Sequence, residues 1–164
     1  MQPTAARPLH PELQSHLRIG LSIHVGARTA QGLPLLNRAL AIQVEADHRL
    51  SVLLPTPTAD ALLDALREVP LVAVVLCQPT THQAIQIKGR DAQVARAEPE
   101  TWAHRAEHKQ RFVEEIRPFG FSEDFAAAWL DVGPDRLFTV TFTPSGAWNQ
   151  SPGPGAGRPV ELFA

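Results

Sequence analysis

The chain has 164 residues, 44% of them hydrophobic and 20% charged, the composition of one ordinary globular domain and not of a disordered chain. Fifteen Lys and Arg against 17 Asp and Glu leave a formal charge of −2, which speaks against nucleic acid or an anionic membrane as the main partner. The single cysteine excludes an internal disulfide and suits a cytoplasmic protein; the longest apolar run, residues 71–77, is far too short to cross a bilayer, and Met1-Gln2-Pro3-Thr4 lacks the basic-then-apolar order of a secretory signal.

Residues 1–18 read as a proline-punctuated lead-in, in which His10-Pro11-Glu12-Leu13 opens one short helix with Pro11 at its first position. Residues 19–25 alternate apolar with small or polar side chains, a strand period. Gln31-Gly32-Leu33-Pro34 is a turn. Residues 35–44 place Leu36, Leu40, Ile42 and Val44 on one parity; they read as the next strand, and periodicity alone leaves a helix open. Ala46-Asp47-His48-Arg49 is a hairpin turn, and residues 50–54 are the returning strand. Thr58 is expected to cap a helix with Asp60 in its first turn. Ala59, Leu62, Leu63 and Leu66 share one face of that helix, and Pro70 ends it. The Val-rich run 71–77 reads as a central strand. After a turn at 78–81, residues 82–94 alternate, and Gly89 inside them marks a bulge or a close backbone approach.

Residues 98–118 carry the clearest helical pattern. Trp102, Ala106, Val113 and Ile116 fall roughly on one face; His104, Glu107, His108, Arg111 and Glu115 fall on another, which is expected to be solvated. Ser122 caps a shorter helix that runs to Leu130, and residues 135–143 form a last strand. Residues 144–159 hold four prolines and four glycines and are expected to form no regular element, being either a flexible tail or a rigid ordered arm. The pattern predicts a mainly β, α+β fold: about six antiparallel strands in a small closed barrel with helices packed outside; the split form of that six-stranded antiparallel β-barrel comes only from the resemblance below. The pattern also divides the chain into a lead-in (1–18), a barrel domain (19–143) and a Pro/Gly-rich arm (144–164).

Four segments resemble the pyridoxamine 5'-phosphate oxidase-like family: Gly32-Leu33-Pro34 ahead of Asn37-Arg38-Ala39-Leu40, the run 62–72, Gln86-Ile87-Lys88-Gly89, and Phe142-Thr143-Pro144 followed by Pro152 to Gly157. The resemblance covers roughly residues 18–160. It implies the FMN-binding split-barrel fold, a homodimer, and a cofactor cleft at the dimer interface that takes FMN, or in some branches a deazaflavin or haem. It implies that Arg38, Ala39 and Leu40 run beside the flavin ring, that Thr56 and Thr58 lie near the phosphate, and that Gln86 and Lys88 project into the cleft. It implies a flavin-dependent oxidoreductase, with a non-catalytic or haem-binding barrel as the alternative. The chain departs from the family at the start of its first helix after the strands. Where a Ser-Arg-Lys-like group usually holds the phosphate, it has Asp60, Ala61 and Leu62. A carboxylate at a helix N-terminus repels a phosphate.

Other residues invite a chemical reading beside a plain one. Trp148, with Gln150 near it, either anchors the arm or stacks on a planar ligand. His82 and His24 are the imidazoles available to a haem iron; the plain alternatives are a turn residue and a strand residue. His104 and His108 have the i, i+4 spacing of a metal pair without an HExxH pattern, and a solvated face is the simpler reading. Cys77 reads as a buried structural thiol. No P-loop and no GxSxG elbow is present.

Overall fold

The computed structural model describes residues 7–164, apart from the side chains of residues 100–102 and 104. Among the described residues, ten strands form two antiparallel sheets. In one, β1 (Ser22–Arg28), β2 (Pro34–Ala39), β5 (Val72–Cys77), β6 (Ala84–Gly89), β9 (Pro144–Asn149) and β10 (Pro159–Val160) lie in the order β10-β9-β6-β5-β1-β2. In the other, β3 (Ala41–Val44), β4 (Leu50–Pro55), β7 (Gln93–Arg96) and β8 (Leu137–Phe142) lie in the order β3-β4-β8-β7. The expected count of six strands is thus too low, and the hydrogen-bonded ladders do not close into one ring.

Two of the expected long strands are each divided between the sheets. Residues 35–44 break at Leu40, where β2 ends and β3 begins. Leu40 and Ala41, consecutive in sequence, both pack in the cluster beneath the later helices, whereas Ile42 faces the main core. One step of the alternation is skipped, so the parity Leu36–Leu40–Ile42 is not kept, and Leu36 is 70% exposed. Residues 82–94 divide in the same way into β6 and β7. Gly89 sits at a register shift between β6 and β9, and a Cβ there would collide with the Phe142 ring, so both expectations for this glycine hold.

The inner faces of the two sheets share one core, including Ile23, Val25, Val74, Ile87, Val52, Val140 and Phe142. Helix α2 (Asp60–Glu68) adds Leu62, Leu63 and Leu66 to it, and α1 (Pro11–His16) adds Leu13. Thr58 does not cap α2: the cap position is Ala59, and the Thr58 hydroxyl donates instead to the Pro55 carbonyl at 3.1 Å. Ser122 does cap α4 (Glu123–Leu130), accepting from the Phe125 amide at 3.3 Å.

Residues 144–149 are not irregular. They form β9, which pairs with β6 across Ile85–Asn149, Gln86–Trp148 and Ile87–Ala147. Pro144 is tolerated because it stands at the first position of the strand. Residues 8–10 meet residues 162–164: the His10 amide donates to the Leu162 carbonyl at 3.0 Å and the Ala164 amide to the Pro8 carbonyl at 3.1 Å.

Helix α3 (Glu100–Ile116) lies outside the four-stranded sheet with α4, burying Phe112, Val113 and Ile116 against Leu40, Leu53 and Leu137. It is docked closely on Gly20, where any Cβ would overlap the Arg111 backbone. This docking corrects the expected solvated face. His108 is 3% exposed, near-parallel to Phe112 with ring centroids 6.5 Å apart. Burial first, then the charges of Arg111 and Arg38, push its pKa down to about 4, against a weaker opposing effect of the Leu21 backbone. Ala106, expected on the apolar face, is exposed. Trp102 and His104 lie outside the described side chains.

Candidate functional site

The outer face of the six-stranded sheet carries most of the chemistry. In an antiparallel ladder, directly opposed residues share a face. Arg38, His24, Val75, Gln86, Trp148 and Pro159 therefore form one row across the sheet. One step further along, Leu36, Gly26, Ala73, Lys88 and Gly146 form a second. The expected residues Arg38, Gln86, Lys88, Trp148 and His24 are thus brought to one surface, with Arg38 and Trp148 on strands separated by three others (β1, β5 and β6).

At the Arg38 end the sheet meets α4, and the two enclose a cleft of about 390 Å³ lined in part by Asn37, Arg38, Thr56, Thr58, Trp129 and Arg136. The Arg38 guanidinium lies 3.3 Å from the Trp129 ring centroid and 5.0 Å from that of Phe112. The cation faces an aromatic ring whose negative face attracts it. Its Nε is buried with no hydrogen-bond partner. Burial pushes its pKa down to about 10, so it stays charged at neutral pH. The Asn37 amide donates to the Thr58 carbonyl at 2.5 Å. Thr56 donates its amide (2.8 Å) and its hydroxyl (3.2 Å) to the Arg136 carbonyl, which holds the Arg136 turn against the cleft. Thr56 and Thr58 line the cleft, but both hydroxyl protons are engaged by the backbone. Arg136 was not foreseen: it follows Thr56 by 80 residues, and only the fold joins them.

At the other end of β2 a groove of about 860 Å³ runs over Gly26, Leu36, Ala73, Lys88 and Trp148, with Arg28 and Arg90 at its margin. The Lys88 ammonium lies 4.7 Å from the Trp148 ring centroid. The six-membered part of that ring covers Gly146, where a Cβ would approach to 2.5 Å.

The remaining expected residues lie elsewhere. Ala39 is 2% exposed and faces the core, so it presents only backbone to a ligand. Leu40 is buried under α3 and touches the cleft wall. Gln150 is exposed beyond β9, its amide donating to the Ala84 carbonyl at 2.7 Å. His82 is exposed in the β5–β6 turn with φ of 58°. His24 is half-buried, and burial, then the Arg38 charge, hold its pKa below the usual imidazole value. Cys77 is half-buried, not enclosed, and burial raises its pKa. Among the described residues no group of three or more His, Cys, Asp or Glu gathers in metal-binding geometry. No helix of the described residues is long and apolar enough to cross a membrane.

No family model matches the chain, and no curated protein matches it. Solved structures do. A structure described as F420 reductase superposes with a TM-score of 0.52 at 15% identity, covering 82% of this chain and 94% of the other. A putative pyridoxamine 5'-phosphate oxidase from Lactobacillus delbrueckii gives 0.54 at 14% identity, covering 90% and 97%. General Stress Protein 26 from Bacillus anthracis gives 0.51 at 11% identity, covering 92% and 96%. The chain has the pyridoxamine 5'-phosphate oxidase-like split-barrel fold.

On that fold, the fit of a flavin phosphate turns on the charges around the cleft. The Asp60-Ala61-Leu62 stretch changes meaning once placed. Leu62 is 2% exposed and sits in the core, so it is no phosphate-facing position. Asp60 is exposed and does not line the cleft. The charged groups that do line it are Arg38 and Arg136, and no Asp or Glu lines it. The donor set therefore suits a phosphate despite the departure at α2.

Proposed function

We propose that this chain is a flavin-dependent oxidoreductase of the pyridoxamine 5'-phosphate oxidase-like class, with FMN as the cofactor. The observation that supports the reading is the pairing of Arg38 and Arg136 across a carboxylate-free cleft at the end of the outer face. Arginine's planar fork suits a phosphate better than any other side chain. Arg38 and Arg136 would hold the phosphate, and Asn37, Thr56 and Thr58 would fix the cleft wall. The flavin, when bound, supplies hydride or electron transfer. The protein's own part is to position the cofactor, to exclude water with Trp129, and to keep Arg38 charged. A second copy of the chain closing over the outer face, and so a homodimer, completes the proposal. A cytoplasmic location accords with the single cysteine.

A deazaflavin with an anionic tail would use the same two arginines. Haem is the second reading, and the observation that favours it is His24. Its imidazole stands half-buried on the outer face, held below its usual pKa beside Arg38, and neutral imidazole is the form that ligates iron. An absorption spectrum of the purified protein separates these readings. Flavin bands at roughly 370 and 450 nm support the proposal, a sharp band near 400 nm supports haem, and a spectrum that stays blank after adding FMN contradicts the flavin reading. Light scattering on the same sample is expected to give the mass of two chains.

A further inference from the structure

Arg38 has an imidazole on each side. Across the strand pair, His24 on β1 stands directly opposite Arg38 on β2, and both belong to the outer face. On the α3 side, His108 lies near-parallel to Phe112, the ring whose centroid the Arg38 guanidinium approaches to 5.0 Å. The guanidinium is held 3.3 Å from the Trp129 ring centroid, which keeps its charge between the two imidazoles. Directly opposed residues of an antiparallel pair have Cβ atoms about 4.5–5.5 Å apart, and like charges so placed destabilise each other.

The repulsion has no acidic counterweight in the groups that face it. Of the strands beside β1, β2 brings Arg38, and β5 brings Val75 with Cys77 one step along the face. Burial raises the pKa of the Cys77 thiol, so it stays neutral. On the far side of Arg38, α3 brings Arg111 beside His108, and the cleft brings Arg136. No Asp or Glu is among these groups. Burial and then the Arg38 charge disfavour a proton on His24, and Arg38 also disfavours one on His108. An anion bound by Arg38 and Arg136 offsets the Arg38 charge and so removes part of the repulsion. The effect is mutual: a proton on His24 places a further positive charge near the anion and tightens its binding.

We propose that His24 is the proton-linked member of the Arg38 anion site: it takes a proton from solvent as an anion enters the cleft, and the anion is held more tightly in mild acid. This rests on the reading of the cleft as an anion site and adds a residue that does not line it. His24 acts through the Arg38 charge and is a positioning residue. A second copy of the chain over the outer face is compatible with this role, because a proton needs no open groove. Well above pH 6.5, the ordinary imidazole value, His24 is neutral with or without the anion, and affinity is flat. As pH falls, the anion-bound form takes up its proton first, and affinity rises until His24 is charged in both forms. His108, pushed down to about 4, adds to the effect only in stronger acid.

The probe is sulfate, which stays a dianion throughout the range, whereas a phosphate monoester changes charge near pH 6. Its affinity for the full chain is measured by calorimetry at pH 7.5 and 5.5 and constant ionic strength, with circular dichroism to verify the fold at both. The parent chain is expected to bind sulfate roughly fivefold more tightly at pH 5.5, at the low end of ordinary coupling between two sites. His24→Asn, which keeps a polar side chain but cannot take the proton, should lose most of that gain. An NMR titration of the His24 ring in the parent chain needs no variant: its midpoint should move to higher pH when sulfate is present. An equal gain in His24→Asn, or a midpoint that sulfate leaves in place, would overturn the proposal and leave the anion cleft standing. Absence of sulfate binding at both pH values would overturn the proposal and the anion reading together.

Discussion

At the residue scale, the informative side chains are polar groups that the fold encloses. Arg38 is half-buried beneath Trp129, with its Nε unpartnered, and a buried donor without a partner is costly unless something else repays it. The cation–π contact is one compensation, and an anion in the cleft is the other. His108 is the second enclosed group. Its folded pKa of about 4 lies below the ordinary 6.5, so between those values the unfolded chain binds more protons than the folded one. Stability at pH above 6.5 is unaffected by this residue and falls as pH drops from 6.5 towards 4. The gap corresponds to up to about 3 kcal/mol. His16, 8% exposed, with Nε2 3.3 Å from the Leu76 carbonyl and a lowered pKa, adds in the same direction. Urea unfolding at pH 7.5 and 4.5 should show this loss, and His108→Gln should remove most of it. An unchanged slope in that variant would mean that His108 is protonated in the folded state.

At the element scale, the pattern of the sequence was readable for most elements that stay within one sheet and unreadable where an element changes sheet. The hairpin turn at Ala46–Arg49, the body of helix α2, strand β5 and the Ser122 cap are where local period and punctuation place them, while α2 is capped at Ala59 and not at Thr58. Residues 35–44 and 82–94 each pass from one sheet to the other, and nothing local reports that Leu40 and Ala41 face the same side. The arm failed for another reason. Its glycines and prolines describe a loop, but Pro144 occupies a strand's first position and Gly146 makes room for the Trp148 ring. Both are positional roles that composition averages away.

The β5–β6 turn shows how an element is secured from a distance. Glu115 on α3 accepts from the Gln78 side chain at 2.9 Å, from the Thr80 amide at 3.2 Å and from the Thr80 hydroxyl at 2.5 Å. The turn carries His82 in the left-handed region, which a non-glycine residue adopts at some cost. Hydrogen bonds to a charged acceptor are worth about 1.5–3 kcal/mol in total effect. Glu115→Ala should therefore speed hydrogen exchange across residues 78–82 and leave β1 and β4 protected. If exchange in the turn is unaltered, the tether is incidental.

At the scale of the whole molecule, the two sheets turn their inner faces to one core, and the proposed function rests on the outer face of the larger sheet. The residues singled out in the sequence that reached this face, Arg38, Gln86, Lys88, Trp148 and His24, came from strand parity together with the family resemblance. The residues that complete the cleft and the groove did not. Arg136 arrives through a short 3-10 turn ahead of β8, fixed by two bonds from Thr56. Arg28 and Arg90 come from the ends of β1 and β6, which only strand pairing brings together. Long-range pairing also reverses the reading of Asp60, which looks prohibitive beside a phosphate in sequence and lies off the cleft in the structure.

The central claim is that Arg38 and Arg136 form the anion end of a flavin site. The most direct test is a fluorescence titration of FMN and of riboflavin, which lacks the phosphate, against the parent chain and Arg136→Gln. Arg136 is exposed, so its loss should leave the fold intact. The parent chain is expected to bind FMN more tightly than riboflavin. Arg136→Gln is expected to remove roughly tenfold of the FMN affinity while riboflavin binding is unchanged. FMN and riboflavin binding equally, or FMN binding that Arg136→Gln leaves untouched, would contradict the claim.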